Sequence, residues 1–431
     1  MEEQDLSRRT LLKGGGAMLA GLTVLQVAGP AQAFASSEGD DDDEDHRDPA
    51  NVVPPGDVID WDDQPAEIPP PARSVIGHPL KWEALNSFLT PNEQFFTVKH
   101  YNEPALSADT WNLTIEGLVK HPGTLTLADL KARAARAVDF TLECSGNTGL
   151  PFFIGGIGNA RWVGTPLASL LREAGVQKSG TEVIFWGADS GTVTIRDDSG
   201  ITSGGVTGTV EPDAGGGLDL TITEQFARSM SITDAMSRDN ILCYQMNDAP
   251  LPPEHGFPLR LIAPGWYGVA NVKWLTRIQV VDQRYVGRFM ARDYVTIREQ
   301  VRPSGETVWT FANVGHDRLK SAPAKVIHQG SAYTIFGAAW GAPIAAVNVK
   351  IDGGPWTPAN LLGDRGHESR GFAWRFWTLP WTPTPGQHSI TSQAVDVKGN
   401  VQPSPDDPFL ASKRTYWESN GLITRLVTIP S

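Results

Sequence analysis

From about Lys320 onward the sequence keeps one texture, short alternating runs separated by turns, and this limits what its last hundred or so residues can fold into. Val347, Val349 and Ile351 alternate with Asn348 and Lys350, and Asp352-Gly353-Gly354 turns the chain before Trp356. Tyr333 to Phe336, Phe372 to Trp377 and Ser389 to Val395 repeat the pattern, with Pro385-Gly386 and Lys398-Gly399-Asn400 as turns. A side-chain period of two sends one face of each run into a core, and evenly spaced runs of this kind predict an immunoglobulin-like sandwich over residues 316–431. Both cysteines, Cys144 and Cys243, precede it, so it has no sandwich disulfide. Such a module seldom does chemistry; assembly is its expected task.

Residues 76–315 read as a mixture. Trp111-Asn-Leu-Thr-Ile115 alternates like a strand, and Leu125-Thr-Leu-Ala-Asp-Leu130 opens a helix with Thr126 as its N-cap. Thr165-Pro166-Leu167 opens another, with proline at the first helical position and Gly175 near the end. Val183 to Trp186 and Val193 to Ile195 predict strands, and the glycine-rich stretch 203–217 predicts a surface loop. An α+β domain therefore precedes the all-β one.

Ahead of both lies Ser7-Arg8-Arg9-Thr10-Leu11-Leu12-Lys13, then a mild Gly/Ala/Leu run and Ala31-Gln32-Ala33. This pattern predicts a twin-arginine export signal over 1–33, cut after Ala33, and not a membrane span, because the run is too short and too rich in glycine. The expected location is the periplasm or another exported compartment. Residues 34–75 lack periodicity and are rich in Asp and Pro, which predicts a disordered acidic arm. Thirteen acids and one base fall in 34–67, so this stretch carries nearly all of the formal charge of −13. The charge argues against a nucleic-acid partner, which needs clustered Lys and Arg, and says little about the near-neutral body.

The motifs of common chemistries are missing. No GxGxxG follows a strand, and there is no Walker loop, GxSxG elbow, HExxH, CxxC or CxxCH haem attachment. No haem is therefore expected in this chain. Two constellations stand out. In Phe140-Thr-Leu-Glu-Cys144-Ser-Gly-Asn147-Thr-Gly149 a cysteine follows an apolar run into a turn. A lone cysteine is commonly a small buried hydrophobe, which is the reading for Cys243. At Cys144 the amides of the turn favour a thiolate, suited to a soft metal or to nucleophilic attack. Farther on, His255, Arg260 and Lys273 lie among glycines and prolines. Arg forks onto phosphate, Lys acts as a point charge and His reads ring edges, so the set suits a phosphorylated, hydrogen-bonding cofactor; the plain alternative is surface charges on loops.

Together these segments resemble the sulfite oxidase family of molybdenum–pterin oxidoreductases, in its bacterial exported branch, over roughly residues 78–431. The motifs that carry the resemblance are Glu143-Cys144-Ser-Gly-Asn147, Ala160-Arg161-Trp162-Val-Gly164, Met246-Asn247 followed by His255-Gly-Phe-Pro-Leu-Arg260, and Val272-Lys273-Trp274-Leu275. The resemblance implies an α+β molybdopterin-binding domain at 76–315 and a dimerisation sandwich at 316–431, where Ala394-Val-Asp396 and Asn400-Val-Gln-Pro403 also match. It implies Cys144 as molybdenum ligand and Tyr294 as the tyrosine that closes the substrate site. Pterin contacts are implied for His255, Arg260, Asn271, Val272 and Lys273, joined by Asp189, Phe96 and His100. The implied activity is oxidation of sulfite to sulfate by a homodimer, with electrons passed to a separate acceptor such as a c-type cytochrome.

The departures concern substrate. Sulfite-binding members place arginine where this chain has Val98, and arginines where it has Thr148 and Gly149. Each lost charge-assisted bond to a small dianion is worth about 1.5–3 kcal/mol, so Lys99, Arg161 or Arg425 is expected to compensate as a substrate-binding cation. The Glu-Cys-Ser-Gly-Asn form is also similar to bacterial sulfane dehydrogenase subunits. The rival expectation therefore keeps the cofactor but changes the substrate, as a sulfane-sulfur dehydrogenase or an S- or N-oxide reductase. A non-catalytic exported binding protein is the remote one.

Overall fold

The computed structural model describes residues 53–195, 220–363 and 371–431. The export signal expected over 1–33 and the loop expected over 203–217 lie outside them.

The sandwich follows from its alternation. One sheet orders Asp57–Ile59, Lys320–Gln329, Ala332–Trp340, Arg375–Trp381 and Asn360–Leu361; the other orders Thr357–Pro358, Ile344–Ile351, Gly386–Asp396 and Ile423–Ile429. Val347 and Val349 point inward onto Ile390, Ala394 and Val427, as their spacing dictates.

The first strand of that list corrects the sequence reading, because the arm expected to be disordered over 34–75 belongs to the fold from residue 53 onward. Asp57–Ile59 pairs antiparallel with Lys320–Gln329, setting Asp57 against His328 and Ile59 against Val326. Trp61 is buried, and its indole N–H donates to the Ala324 carbonyl at 2.9 Å. Asp62 accepts from Gln387 and Thr428, and Asp63 accepts from Arg425. Counting acids and prolines missed that Val58, Ile59 and Trp61 supply an edge strand and an anchor, while Asp62 and Asp63 find donors on the sandwich. Asp63→Asn is therefore expected to lower the unfolding free energy by about 1.5–3 kcal/mol in urea titrations, since it removes the nearer charged partner of a buried guanidinium.

Residues 76–315 hold two five-stranded sheets and two two-stranded ones, Ile76–Gly77 with Thr97–Val98 and Val295–Val301 with Thr307–Asn313. One five-stranded sheet runs Ala249–Pro250, Ile241–Met246, Ile157–Pro166, Arg136–Glu143, with Arg260–Ile262 paired to Ile241–Met246. The other runs Gly123–Thr126, Asn112–Gly117, Leu275–Val281, Glu182–Ile195, Leu220–Ser231. The two strands expected near 183 and 193 are one, with a register break between Trp186 and Ser190. Helices are short. Leu127–Lys131 begins at a reciprocal cap, Thr126 Oγ1 accepting from the Asp129 amide while the Asp129 carboxylate accepts from the Thr126 amide. Leu167–Ala174 starts one residue later than expected, with Pro166 at the cap, and ends at Gly175, whose φ of 68° suits glycine.

A separate apolar cluster, including Trp82, Ile157, Phe336, Trp340 and Trp374, joins the sandwich to the α+β part. Arg136–Glu143 is an edge strand, and its free side is covered by the sandwich: the Thr141 amide donates to the Phe372 carbonyl at 3.1 Å and the Trp374 amide to Thr141 Oγ1 at 2.6 Å. This covered strand runs straight into Cys144. No helix among the described residues is long and apolar enough to cross a membrane.

Candidate active site

The strand ends in a turn that closes on itself. The Cys144 amide donates to the Gly156 carbonyl at 2.8 Å, and the Asn147 amide returns to the Cys144 carbonyl at 2.9 Å. The Asn147 side chain ties both limbs, accepting from the Gly156 amide at 2.9 Å and donating to Glu143 Oε1 at 2.8 Å. The last segment of the chain clamps the turn from outside. The Glu418 amide, on a residue with a φ of 56°, donates to the Ser145 carbonyl at 2.7 Å, and Thr148 Oγ1 donates to the Ser419 carbonyl at 3.1 Å. Only glycine fits at 149, since a Cβ there would stand 2.0 Å from the Tyr416 carbonyl oxygen.

Cys144 opens on a cleft of about 620 Å³, partly open to solvent. Phe96, His100, Asp189, His255, Arg260, Asn271, Lys273 and Tyr294 line it with Cys144, and Val98, Leu142, Phe226, Val269 and Trp274 supply apolar wall. Most of the residues singled out from sequence thus converge on one cleft.

Four do not line it. Val272 is buried behind the wall, its carbonyl accepting from the Leu261 amide. Lys99 is paired with Glu103 at 2.5 Å. Arg161 lies on Ile157–Pro166, its backbone tied to Asn247. Arg425, expected to reach a substrate site, is buried against Asp63 at 3.1 Å with Glu83 at 3.9 Å, because the N-terminal segment packs Asp63 onto the last strand.

Burial governs the charges in the cleft. It pushes the Cys144 thiol up to about 11, outweighing the Gly146 amide, so the turn alone does not make the expected thiolate, and a metal ligated there would have to displace the proton. Burial, reinforced by Lys273 and Arg288, drives His100 down to about 3, and burial with Arg260 does the same to His255. Both imidazoles are neutral in ordinary buffers. His100 Nε2 lies 2.6 Å from the Tyr294 hydroxyl, and burial holds that phenol well above its usual range, so it stays protonated. Burial, then Arg260, brings the Lys273 ammonium down to about 7, and burial brings Asp189 up to about 7. The Arg260 guanidinium donates to the His255 and Asn271 carbonyls, both at 3.0 Å, which props open the loop that carries Lys273.

Sequence reasoning missed a set of residues around Tyr294. Trp417 stacks on the Tyr294 ring with centroids 4.4 Å apart, and Tyr416 packs tilted against Trp417 at 4.1 Å. Arg228 is buried near Tyr294 and donates to the Phe289 and Val314 carbonyls. Nothing local in the sequence ties residue 417 to 294 or marks Arg228 as internal. The one available signal was negative: glycine and threonine at 149 and 148 leave room that a distant segment fills.

The family model described as an oxidoreductase molybdopterin-binding domain matches residues 100–289. Chicken sulfite oxidase is 30% identical over 78% of this chain and 71% of its own length. The chain belongs to the sulfite oxidase family. The mitochondrial sulfite oxidase of Drosophila melanogaster is 32% identical over 73% of this chain, which spans 55% of that relative. Among solved structures, the sulfane dehydrogenase SoxCD of Paracoccus pantotrophus superimposes with a TM-score of 0.67 at 25% identity, covering 85% of this chain and 90% of that one. The family's molybdenum–pterin group fits the cleft on the chain's own evidence: Asp189 Oδ1 and Arg260 Nε are buried polar atoms without a protein partner, both on residues that line it, beside a thiol able to ligate a soft metal.

Proposed function

We propose that this chain is an exported molybdenum–pterin oxidoreductase that oxidises sulfite to sulfate. The supporting observation is the convergence in one cleft of the Cys144 thiol, the His100–Tyr294 pair and the set Asp189, His255, Arg260, Asn271 and Lys273. In this reading Cys144 ligates the metal, and Asp189, Arg260 and Lys273 hold the pterin and its phosphate. When bound, the group supplies oxygen-atom transfer and takes the two electrons released as sulfite and water become sulfate and two protons. The chain's residues do the rest. Neutral His100 fixes the Tyr294 hydroxyl, which stays protonated and presents one hydrogen bond to substrate oxygen. Arg228, whose bonds go to carbonyls, places positive charge behind Tyr294 without contacting substrate. The electrons pass to an external one-electron acceptor such as a c-type cytochrome. Export rests on the Arg8-Arg9 signal, and homodimerisation on the sandwich.

A second reading is favoured by the wall of the same cleft. Val98 is an apolar wall residue, and outside the lining Tyr416 packs on Gly149 and Trp417 stacks on Tyr294, so this end suits a less charged sulfur substrate: a sulfane-sulfur carrier, or an S- or N-oxide to be reduced. Protein purified from a pterin-competent host decides between them. The expected result is stoichiometric molybdenum, absent in Cys144→Ser, and reduction of ferricyanide or cytochrome c by sulfite. Turnover only with sulfane or oxide substrates would establish the second reading, and protein without molybdenum would sink both.

A further inference from the structure

Behind Cys144, on the side away from the cleft, lies a polar knot that crosses between the two parts of the chain. Glu143 and Lys320 form an ion pair at 2.6 Å with side chains 0% and 1% exposed. Glu143 Oε2 accepts from the Trp340 indole N–H at 2.9 Å, and Oε1 accepts from Asn147 of the turn at 2.8 Å. The Lys320 ammonium also reaches Thr148 Oγ1 at 3.2 Å. Two of the three donors to this carboxylate therefore come from strands of the sandwich, Lys320–Gln329 and Ala332–Trp340, and the third is the residue that closes the cysteine turn. Burying a charge this completely is costly unless every lone pair is used. Here the lone pairs are spent on holding the residue that directly precedes Cys144.

We infer that Glu143 is a positioning residue for Cys144, and that the sandwich, beyond any role in assembly, supplies the groups that aim this sulfur at the cofactor. The inference rests on the proposed ligation of molybdenum by Cys144. Lys320 and Trp340 act through Glu143 and Asn147 on the turn, and neither lines the cleft. A ligand held through its chain neighbour is tuned as hydrogen-bonded outer partners tune other metal ligands, where their loss costs about tenfold or more in affinity.

The test uses full-length, metal-loaded protein. Trp340→Phe deletes one N–H donor to Glu143 and leaves the charge pair intact. Trp377→Phe, which removes an equally buried indole N–H bonded to Ser321 Oγ, is the control for a merely structural loss. The readouts are the sulfur-to-metal absorption band and the rate of molybdenum release into a chelator. Trp340→Phe and Glu143→Gln are expected to shift the band and release metal about tenfold faster than wild type, while Trp377→Phe matches wild type. If Glu143→Gln does not fold, Trp340→Phe carries the decision. A Trp340→Phe protein indistinguishable from Trp377→Phe in both readouts overturns the inference while leaving the ligand assignment standing. A Cys144→Ser protein that keeps the wild-type band and metal content overturns the assignment itself.

Discussion

His255→Gln is expected to gain about 3 kcal/mol on wild type between pH 6.5 and pH 4. His255 is 1% exposed, with Nε2 on the Asn92 carbonyl at 3.1 Å, and burial followed by Arg260 pushes its imidazole from 6.5 down to about 3. The unfolded chain takes up a proton near pH 6.5 that the folded chain refuses until about 3. Stability from this group is complete above 6.5 and is lost as pH falls, at up to about 1.4 kcal/mol per pH unit. Asp189 and Asp317 run the other way. Burial raises them to about 7 and about 8, so they keep a proton longer in the folded chain and gain stability on acidification. Wild type alone mixes these effects. Glutamine keeps an N–H for Asn92 without titrating, so the difference between the two proteins isolates His255. Urea unfolding of metal-free protein at pH 6.5, 5 and 4 reads it, and a difference that does not change with pH would mean the histidine is charged in the fold.

The second large effect is thermodynamic. Lys320→Met leaves Glu143 buried with two neutral donors and no counter-charge, which is expected to cost about 3–5 kcal/mol in denaturant unfolding. Replacing both partners, as Glu143→Leu with Lys320→Met, removes the charge along with its need for a partner. The double variant should be no less stable than Lys320→Met alone. A double variant that loses as much as the two single changes added together would show that the charges do not interact.

What was legible in the sequence was local. The period of two around Val347, the cap at Thr126 and the stop at Gly175 depend on neighbours a few positions away, and the family motifs located Cys144, His255, Arg260 and Lys273 around one cleft. What was not legible depends on partners far along the chain. Arg425 has the chemistry of an anion-binding residue, and only the packing of Asp63, 362 positions earlier, shows that it is already committed. Residues 53–67 looked disordered by composition because acids were counted without the donors that meet them. The Cys144 turn looked like a source of thiolate because its amides are visible in sequence, whereas the burial that outweighs them is not.

The clamp on that turn also bears on when the site comes into being. Glu143 waits for Lys320 and Trp340, 177 and 197 positions later, and Thr148 waits for Ser419, 271 positions later. Contacts this distant in sequence form late, because the entropy of closing the intervening chain must be met before they add anything. A nascent chain still on the ribosome carries Cys144 long before it carries what holds Cys144 in place. The Cys144 turn is thus among the last parts of the molecule to reach its final shape, and a cofactor held there would be captured by the finished polypeptide.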